Sequence, residues 1–256
     1  MEDINLGTYA VNTWCPGCGN FAILNAIKSV LKSLSEEGTP LENIVLVSGI
    51  GCHAKIADYI NVNSFYSIHG RVVPAAEGIK IAKPDLKVIG FSGDGDSYGE
   101  GLEHLLFAAK RDMDITMIIH DNRVYGLTTG QYTPTSPLGY KGKSTPRGTA
   151  EHPINPLELM LSSGASFIAR GTSHGIDLLK KIFKEAIMHK GFSIVDVLQV
   201  CVTYYNMYEY YDKRVYELEG HDPSDRAGAL ERIKEWDYNK DSKIALGVFY
   251  KEVKNG

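Results

Sequence analysis

Apolar residues along this chain follow two patterns, one typical of amphipathic helices and the other of buried strands. Between residues 20 and 34 they recur at intervals near 3.6 residues, which predicts a helix with one buried face. We take Asn20 as the N-cap of this helix, because its side chain can accept hydrogen bonds from the first turn. Gly38 and Pro40 follow the segment and are expected to end it.

Short apolar runs predict four buried strands, at residues 44–47, 87–91, 115–119 and 193–198. Further helices are predicted between and before them, over residues 101–111 and 176–189. Strands that alternate with helices are typical of an α/β fold, in which a mostly parallel sheet carries helices on both faces. We therefore expect residues 1–256 to form a single domain.

Three segments stand apart from this alternation. Residues 1–19 carry a Cys-x-x-Cys pair, residues 202–256 form a C-terminal extension, and residues 128–156 form a long loop with five of the ten prolines. A loop of that length inside a compact domain is usually functional, so we expect it at the active site or at an interface.

Composition excludes several classes of protein. The chain has 27 Lys and Arg against 31 Asp and Glu, a net charge of −4, so it has no general attraction for nucleic acid. With 43% hydrophobic and 23% charged residues it resembles an ordinary soluble protein. No apolar run approaches the roughly 20 residues that cross a bilayer, and the first residues are acidic. We expect a cytoplasmic protein.

Polar residues follow two of the predicted strands. Asp94 stands between two glycines after one strand, and Asn122 comes 28 residues later, after a helix and the next strand. Ligands bind at the carboxyl ends of parallel strands, where these residues should meet. A carboxylate, an amide oxygen and the carbonyl of Val124 suit Mg²⁺ and a diphosphate. Tyr98 replaces the third glycine of a dinucleotide fingerprint, whereas the Gly-Asp-Gly and Asn pair resembles the thiamine diphosphate (TPP) motif.

The chain has four cysteines, at positions 15, 18, 52 and 201. No apolar strand leads into Cys15 and Cys18, which argues against a thioredoxin-like redox pair. Cys52 and Cys201 each follow a predicted strand, so the fold can bring all four to one edge of the sheet. Four thiolates suit structural zinc or an iron–sulfur cluster. The TPP motif favours the cluster, which could accept electrons from thiamine chemistry.

Taken together, these motifs resemble the beta subunits of 2-oxoacid:ferredoxin oxidoreductases, the family of pyruvate and 2-oxoglutarate synthases. The resemblance covers nearly the whole chain and is carried by Trp14-Cys-Pro-Gly-Cys-Gly19, Ser48-Gly-Ile-Gly-Cys52, Ile68-His-Gly-Arg71, Gly93-Asp-Gly-Asp96, His120-Asp-Asn122, Val124-Tyr-Gly-Leu-Thr128, Gly130-Gln131, Ser144-Thr-Pro146 and Gly164-Ala-Ser-Phe-Ile-Ala-Arg170.

The resemblance implies the ligands of three cofactors. A [4Fe–4S] cluster would be bound by Cys15, Cys18, Cys52 and Cys201. Mg²⁺ would be bound by Asp94, Asn122 and Val124. TPP would be contacted by Ile50, Gly51, Cys52, His53, Gly95, Asp96, Gly126 and Leu127.

The implied reaction is the oxidative decarboxylation of a 2-oxoacid to acyl-CoA and CO₂, with single electrons passed through the cluster to ferredoxin. Lys55 resembles the family position near the substrate carboxylate. The chain has room for one TPP-binding fold, so we expect an alpha subunit to carry the pyrimidine-binding domain, with or without gamma and delta subunits. Two alternatives remain: a subunit of a non-redox TPP-dependent decarboxylase or synthase, and a zinc-stabilised nucleotide-binding protein without catalysis.

Overall fold

A computed structural model describes residues 4–253, so the first three residues of the predicted segment 1–19 and the last three of the extension 202–256 lie outside it. The helices are α1 (Asn20–Glu36), α2 (Val72–Ala82), α3 (Leu102–Lys110), α4 (Pro156–Ser163), α5 (Ile176–Met188), α6 (Tyr208–Asp212) and α7 (Arg226–Lys234). The strands are β1 (Ile44–Ser48), β2 (Asn63–Tyr66), β3 (Lys87–Gly93), β4 (Thr116–Asp121), β5 (Val124–Tyr125), β6 (Gln131–Tyr132), β7 (Phe167–Thr172), β8 (Ser193–Leu198), β9 (Val215–Glu217) and β10 (Ile244–Lys251). Short helical turns cover Leu41–Asn43, His53–Tyr59 and Gly95–Glu100.

Eight strands form one sheet in the order β2-β1-β3-β4-β8-β7-β10-β9. All neighbours are parallel except β7 and β10, so the prediction of a mostly parallel sheet is confirmed. β5 and β6 form a separate antiparallel pair. In the register of β3 and β4, Gly93 lies opposite His120. The two strands therefore end side by side, which brings the residues that follow them together.

Each face of the sheet is covered by its own apolar core. On one face α1 and α5 pack against the strands, with Ile27 and Phe183 fully buried. On the other face α2, α3, α4 and α7 contribute residues such as Leu105, Leu157 and Ile233. Helices thus lie on both faces, as the alternating pattern predicted.

The predicted elements agree with the observed ones to within two residues at each end. The prediction that Asn20 caps α1 is wrong: Gly19 precedes the helix and no side chain caps it. The Asn20 side chain is buried instead, with Oδ1 2.8 Å from Nδ1 of His120. An N-cap side chain must turn back toward its own helix, and here the contact with β4 has replaced that bond.

Residues 202–253 extend the sheet beyond the predicted strands. β10 pairs with β7, and β9 pairs with β10, so this segment supplies one edge of the sheet. Its side chains also build a small third core around Tyr211, Trp236 and Tyr238. Among residues 4–253, no helix has the length and apolar character that crossing a membrane requires.

Candidate functional site

The site lies beyond the carboxyl ends of β1, β3 and β4, where three loops enclose a cavity of about 80 Å³. β1 leads into the turn at residues 49–52, β3 into Asp94, and β4 into Asn122. All the residues that the sequence predicted for TPP and Mg²⁺ line this one cavity; they are Ile50, Gly51, Cys52, His53, Asp94, Gly95, Asp96, Asn122, Val124, Gly126 and Leu127.

Two glycines let side chains approach the backbone of these loops. A Cβ atom at Gly49 would lie 1.8 Å from Oδ2 of Asp96, and one at Gly95 would lie 2.2 Å from the ring of Tyr125. Real atoms cannot pack so closely, so any other residue would displace Asp96 or Tyr125. Because these two glycines have no side chain, Asp96 and Tyr125 can occupy their positions on the cavity wall.

Asp94 is 2% exposed, and its carboxylate is held from the long loop at residues 128–156. The hydroxyl of Thr135 lies 2.8 Å from Oδ2 of Asp94. Burial raises the pKa of Asp94 to about 6, although hydrogen bonds from Thr133 and Thr135 oppose the rise. A carboxylate in this environment gains strongly from a nearby positive charge.

The same Thr135 hydroxyl lies 2.9 Å from Oδ1 of Asp121, a second buried carboxyl. Burial and the neighbouring charges of Asp196 and Asp94 raise the pKa of Asp121 well above its usual value. A hydroxyl carries one proton, so it can donate to only one of the two carboxylates at a time. Sequence reasoning missed Thr135, because nothing marks one threonine in a long loop.

Asn122 is held at both ends of its side-chain amide. Its Oδ1 accepts a hydrogen bond from the backbone N–H of Val124 at 3.1 Å, and its Nδ2 donates to Oε1 of Gln199 at 2.8 Å. Gln199 comes directly after β8 and was not predicted as a site residue. Its position at a strand end, two residues before Cys201, was the signal that could have found it.

His53 and Asp96 form a buried pair that also lines this cavity. Nε2 of His53 lies 3.0 Å from Oδ2 of Asp96, and the other carboxylate oxygen accepts a bond from the backbone N–H of Gly70. Burial disfavours the charged carboxylate, but the hydrogen bond and charge of His53 outweigh it and hold the pKa of Asp96 below its usual value. Asp96 is thus a fixed negative group that orients the imidazole.

The four cysteines line a second cavity of about 210 Å³. All four are free thiols. Burial, together with the three other cysteines, raises the pKa of Cys18 to about 11 although a backbone hydrogen bond opposes it. A Cβ atom at Gly126 would lie 3.6 Å from Sγ of Cys201 and 3.8 Å from Sγ of Cys52. The fold thus gathers cysteines from three distant parts of the chain.

Lys55 lies on the wall of the cysteine cavity rather than in the smaller one. Its Nζ donates a hydrogen bond to Oγ1 of Thr13 at 3.0 Å. The two cavities share four residues, namely Cys52, Asn122, Gly126 and Leu127. Lys55 therefore lies in the cysteine cavity, and the four shared residues separate it from the smaller cavity.

Within residues 4–253, no three side chains of His, Cys, Asp or Glu are grouped as the ligands of a metal ion. The predicted magnesium set contains only one such residue, Asp94, beside an amide and a main-chain carbonyl. The thiols share a cavity without converging on one point as the ligands of a single ion do.

Family models match most of the chain. A model described as the thiamine pyrophosphate enzyme, C-terminal TPP binding domain, matches residues 49–197, which include every residue that lines the smaller cavity. A second model, described as the C-terminal part of the beta chain of pyruvate ferredoxin oxidoreductase, matches residues 201–255.

Individual relatives with a related name match most of this chain. The beta subunit of 2-oxoacid:ferredoxin oxidoreductase 1 from Aeropyrum pernix is 44% identical over 251 residues, covering 93% of this chain and 77% of that protein. The beta subunit from Saccharolobus solfataricus is 48% identical over 217 residues, covering 83% and 70%. This chain belongs to the beta subunits of 2-oxoacid:ferredoxin oxidoreductases.

A solved structure agrees with this assignment. The 2-oxoglutarate:ferredoxin oxidoreductase from Magnetococcus marinus, with 2-oxoglutarate, coenzyme A and succinyl-CoA bound, contains a chain with a TM-score of 0.91 and 32% identity. The match covers 100% of this chain and 87% of that one. The present beta subunit is therefore part of an oxidoreductase that works as a multi-subunit complex, and it carries a thiamine diphosphate-binding domain.

Proposed function

We propose that this beta subunit binds Mg²⁺–TPP and a [4Fe–4S] cluster side by side, and that the complex oxidises a 2-oxoacid to acyl-CoA and CO₂ with single-electron transfer to ferredoxin. One observation carries the proposal: the cavity of the predicted TPP ligands and the cavity of the four thiols share a wall of four residues. Cofactors bound in the two cavities would be neighbours. Electron transfer between them would then need no other subunit.

The donor set of the smaller cavity suits Mg²⁺ and a diphosphate. Magnesium prefers oxygen ligands and commonly uses one or two carboxylates together with substrate phosphates. Asp94 would supply the carboxylate, Asn122 the amide oxygen, and Val124 its carbonyl. Because burial raises the pKa of Asp94, a divalent cation there would offset an otherwise costly buried charge. The glycine-rich turns would let the diphosphate reach the backbone.

The donor set of the larger cavity suits an iron–sulfur cluster better than structural zinc. Zinc needs four ligands around one ion, and the described thiols do not converge in that way. A [4Fe–4S] cluster has one cysteine on each of four irons, so its ligands surround a larger body. The cavity of about 210 Å³, with four free thiols on its walls, fits that requirement.

When bound, TPP supplies the carbon nucleophile and the electron sink that decarboxylation of a 2-oxoacid requires. The chain's own residues would hold, orient and shield the bound cofactor. His53 and Asp96 form a fixed polar wall, and Leu127 lies on the wall between the cavities. We assign the ammonium of Lys55 to the carboxylate of the substrate, because it is a cation beside this wall.

A partner subunit would complete the site. The smaller cavity holds about 80 Å³, well below the roughly 300 Å³ at which small-molecule sites begin. Exposed apolar side chains occur at its rim and on the neighbouring edge of the sheet, at Ile50, Phe65, Tyr66, Ile68 and Leu127. Such a surface is expected where another protein docks. We propose that an alpha subunit with the pyrimidine-binding domain covers it and shares the coenzyme A site.

The test is to purify the chain with its alpha subunit under strictly anaerobic conditions. We expect about four irons and four sulfides per beta subunit, the ratio of one Cys₄ cluster, with one bound TPP and reduction of ferredoxin that depends on 2-oxoacid and coenzyme A. Zinc in place of iron would overturn the proposal in favour of a structural metal. Bound TPP with turnover, but without iron, would instead establish a non-redox enzyme.

A further inference from the structure

Gln199 contacts a predicted ligand of each cofactor site, Asn122 for magnesium and Cys18 for the cluster. It follows the last residue of β8, is 1% exposed and lines the cysteine cavity. Neither the motif pattern nor the proposed function uses it. A buried amide between two candidate cofactor sites can act on both of them.

On the side of the smaller cavity, Gln199 determines the orientation of an amide. Its Oε1 can only accept, so the Asn122 atom that lies 2.8 Å away must be the Nδ2 donor. Oδ1 of Asn122 is thereby directed to the N–H of Val124, where a carbonyl oxygen still has a second lone pair. A flipped amide would instead present its NH₂ group to a cation. Gln199 therefore keeps the ligand atom of Asn122 in its place.

On the other side, Gln199 donates toward a thiol. Its Nε2 lies 3.5 Å from Sγ of Cys18 and also donates to the backbone carbonyl of Val200. One amide group has two N–H bonds, so both donors are accounted for. Hydrogen bonds to cysteine sulfur are among the factors that set the reduction potential of an iron–sulfur cluster.

The position of Gln199 is fixed by its surroundings. Its backbone N–H donates to the carbonyl of Asp121 at 2.9 Å, which ties the end of β8 to the end of β4. A Cβ atom at Gly19 would lie 3.1 Å from Cγ of Gln199 and 2.8 Å from the backbone nitrogen of Val200. The absence of a side chain at Gly19 thus allows the N-terminal cysteine segment to pack directly on Gln199.

We propose that Gln199 is a positioning residue that couples the two cofactor sites, holding the Asn122 amide for Mg²⁺–TPP with its oxygen and donating to the Cys18 sulfur with its nitrogen. The inference rests on the proposed function, since it needs both cofactors. It adds a physical link between them that does not depend on substrate. Removing the side-chain amide of Gln199 should weaken TPP binding and also lower the midpoint potential of the cluster.

The test uses the anaerobic alpha–beta complex with Gln199→Met, which keeps the length of the side chain but removes its amide. Loss of the hydrogen bond to Asn122 should raise the Kd for Mg²⁺–TPP about fivefold. Loss of the N–H donor should shift the midpoint potential of the cluster to a lower value, since the donor favours the more negative reduced state. The Kd is measured by calorimetry and the potential by a redox titration followed by electron paramagnetic resonance.

Gln199→Glu separates the two contacts. At mildly alkaline pH its carboxylate still accepts from Asn122 but cannot donate to Cys18. The Kd should return to within about twofold of the native value, as the bond to Asn122 is kept and only the bonds donated to Cys18 and to the Val200 carbonyl are lost, while the potential stays below the native one. Asn239→Leu is the control, because it removes an exposed side-chain amide that lines neither cavity, and it should alter neither quantity.

The outcomes distinguish the two proposals. A native complex without TPP or without cluster signals overturns the proposed function itself. A native complex with both cofactors, and Gln199 variants with unchanged Kd and potential, overturns the role of Gln199 alone. Thermal unfolding and complex assembly are measured in parallel. If both variants fail to assemble, or if Glu restores both quantities together, Gln199 is a packing residue and the coupling is wrong.

Discussion

The two cavities are built from the same sheet edge but by different means. The smaller one is made of strand ends and the turns that follow them, and its carboxylates are buried and hydrogen-bonded. The larger one is assembled from segments far apart in the chain, and its thiols range from exposed Cys15 to the more buried Cys18. The first is held by strand register and polar contacts, whereas the second would be held chiefly by its own metal–sulfur bonds. We therefore expect that either cofactor can be lost while the other stays bound, although Gln199 links the two sites.

The largest effect is expected from Cys201→Ala. Removal of one of four cysteines should cost most of the bound iron and abolish ferredoxin reduction, because the proposed cluster would lose a ligand. TPP binding should persist, since Cys201 does not line the smaller cavity. Iron analysis checks the expected loss of iron, and calorimetry with TPP checks that TPP still binds. The neighbouring exposed variant Thr203→Ala should keep its iron; a Cys201 variant with full iron content would contradict the assignment.

Asp94→Ala is expected to have the opposite pattern. Loss of the carboxylate should weaken Mg²⁺–TPP binding by at least about 100-fold, beyond the effect typical of residues that only support a ligand. The visible absorption of the cluster should remain. Asp85→Ala is the control, because Asp85 is an exposed aspartate in the loop after α2. Native TPP affinity in the Asp94 variant would show that the magnesium assignment is wrong.

Removal of magnesium from the native complex should have the same effect as Asp94→Ala. Treatment of the complex with a chelator should release TPP and stop turnover, and added Mg²⁺ should restore both, because diphosphate binding needs the cation. Cluster absorption and iron content serve as the readout of the other cavity. Loss of iron at the same chelator concentration would mean that magnesium cannot be removed while the cluster stays bound, contrary to this expectation.

The smallest effect is expected from Thr135→Val, which removes the hydroxyl between the buried carboxyls of Asp94 and Asp121. We expect the free energy of unfolding to fall by about 1–3 kcal/mol, because two buried carboxyls lose a hydrogen-bond partner. Denaturant unfolding of the anaerobic complex checks this value. Thr135→Ser keeps the hydroxyl and should stay close to native stability; equal losses in both variants would assign the effect to packing.

The sequence predicted the residues that line the smaller cavity better than the residues that hold them in place. Asp94 and Asn122 could be paired because their spacing matches one strand, helix and strand, and parallel neighbours end together. Thr135 and Gln199 could not be found in that way. Thr135 reaches Asp94 from an irregular loop, and Gln199 meets Asn122 only because β4 and β8 are neighbours. Side chains that act through such contacts leave no periodic signal in the chain.

Asn20 shows the same limit within a correctly predicted helix. Apolar spacing located α1, because a helix against a sheet must bury one face. The use of Asn20 depended on His120, which lies 100 positions away in the chain. Residue type favoured a cap, and the tertiary contact took the same side chain for another bond.

The sequence by itself determined the fold class, the family and the residue types of both cavities, because periodicity and strand-end motifs are local properties of the chain. Only the tertiary structure decided that the two cavities share a wall and that Gln199 contacts both Asn122 and Cys18. Strand order and loop packing bring together residues that are distant in sequence, and these depend on the whole core rather than on any one segment.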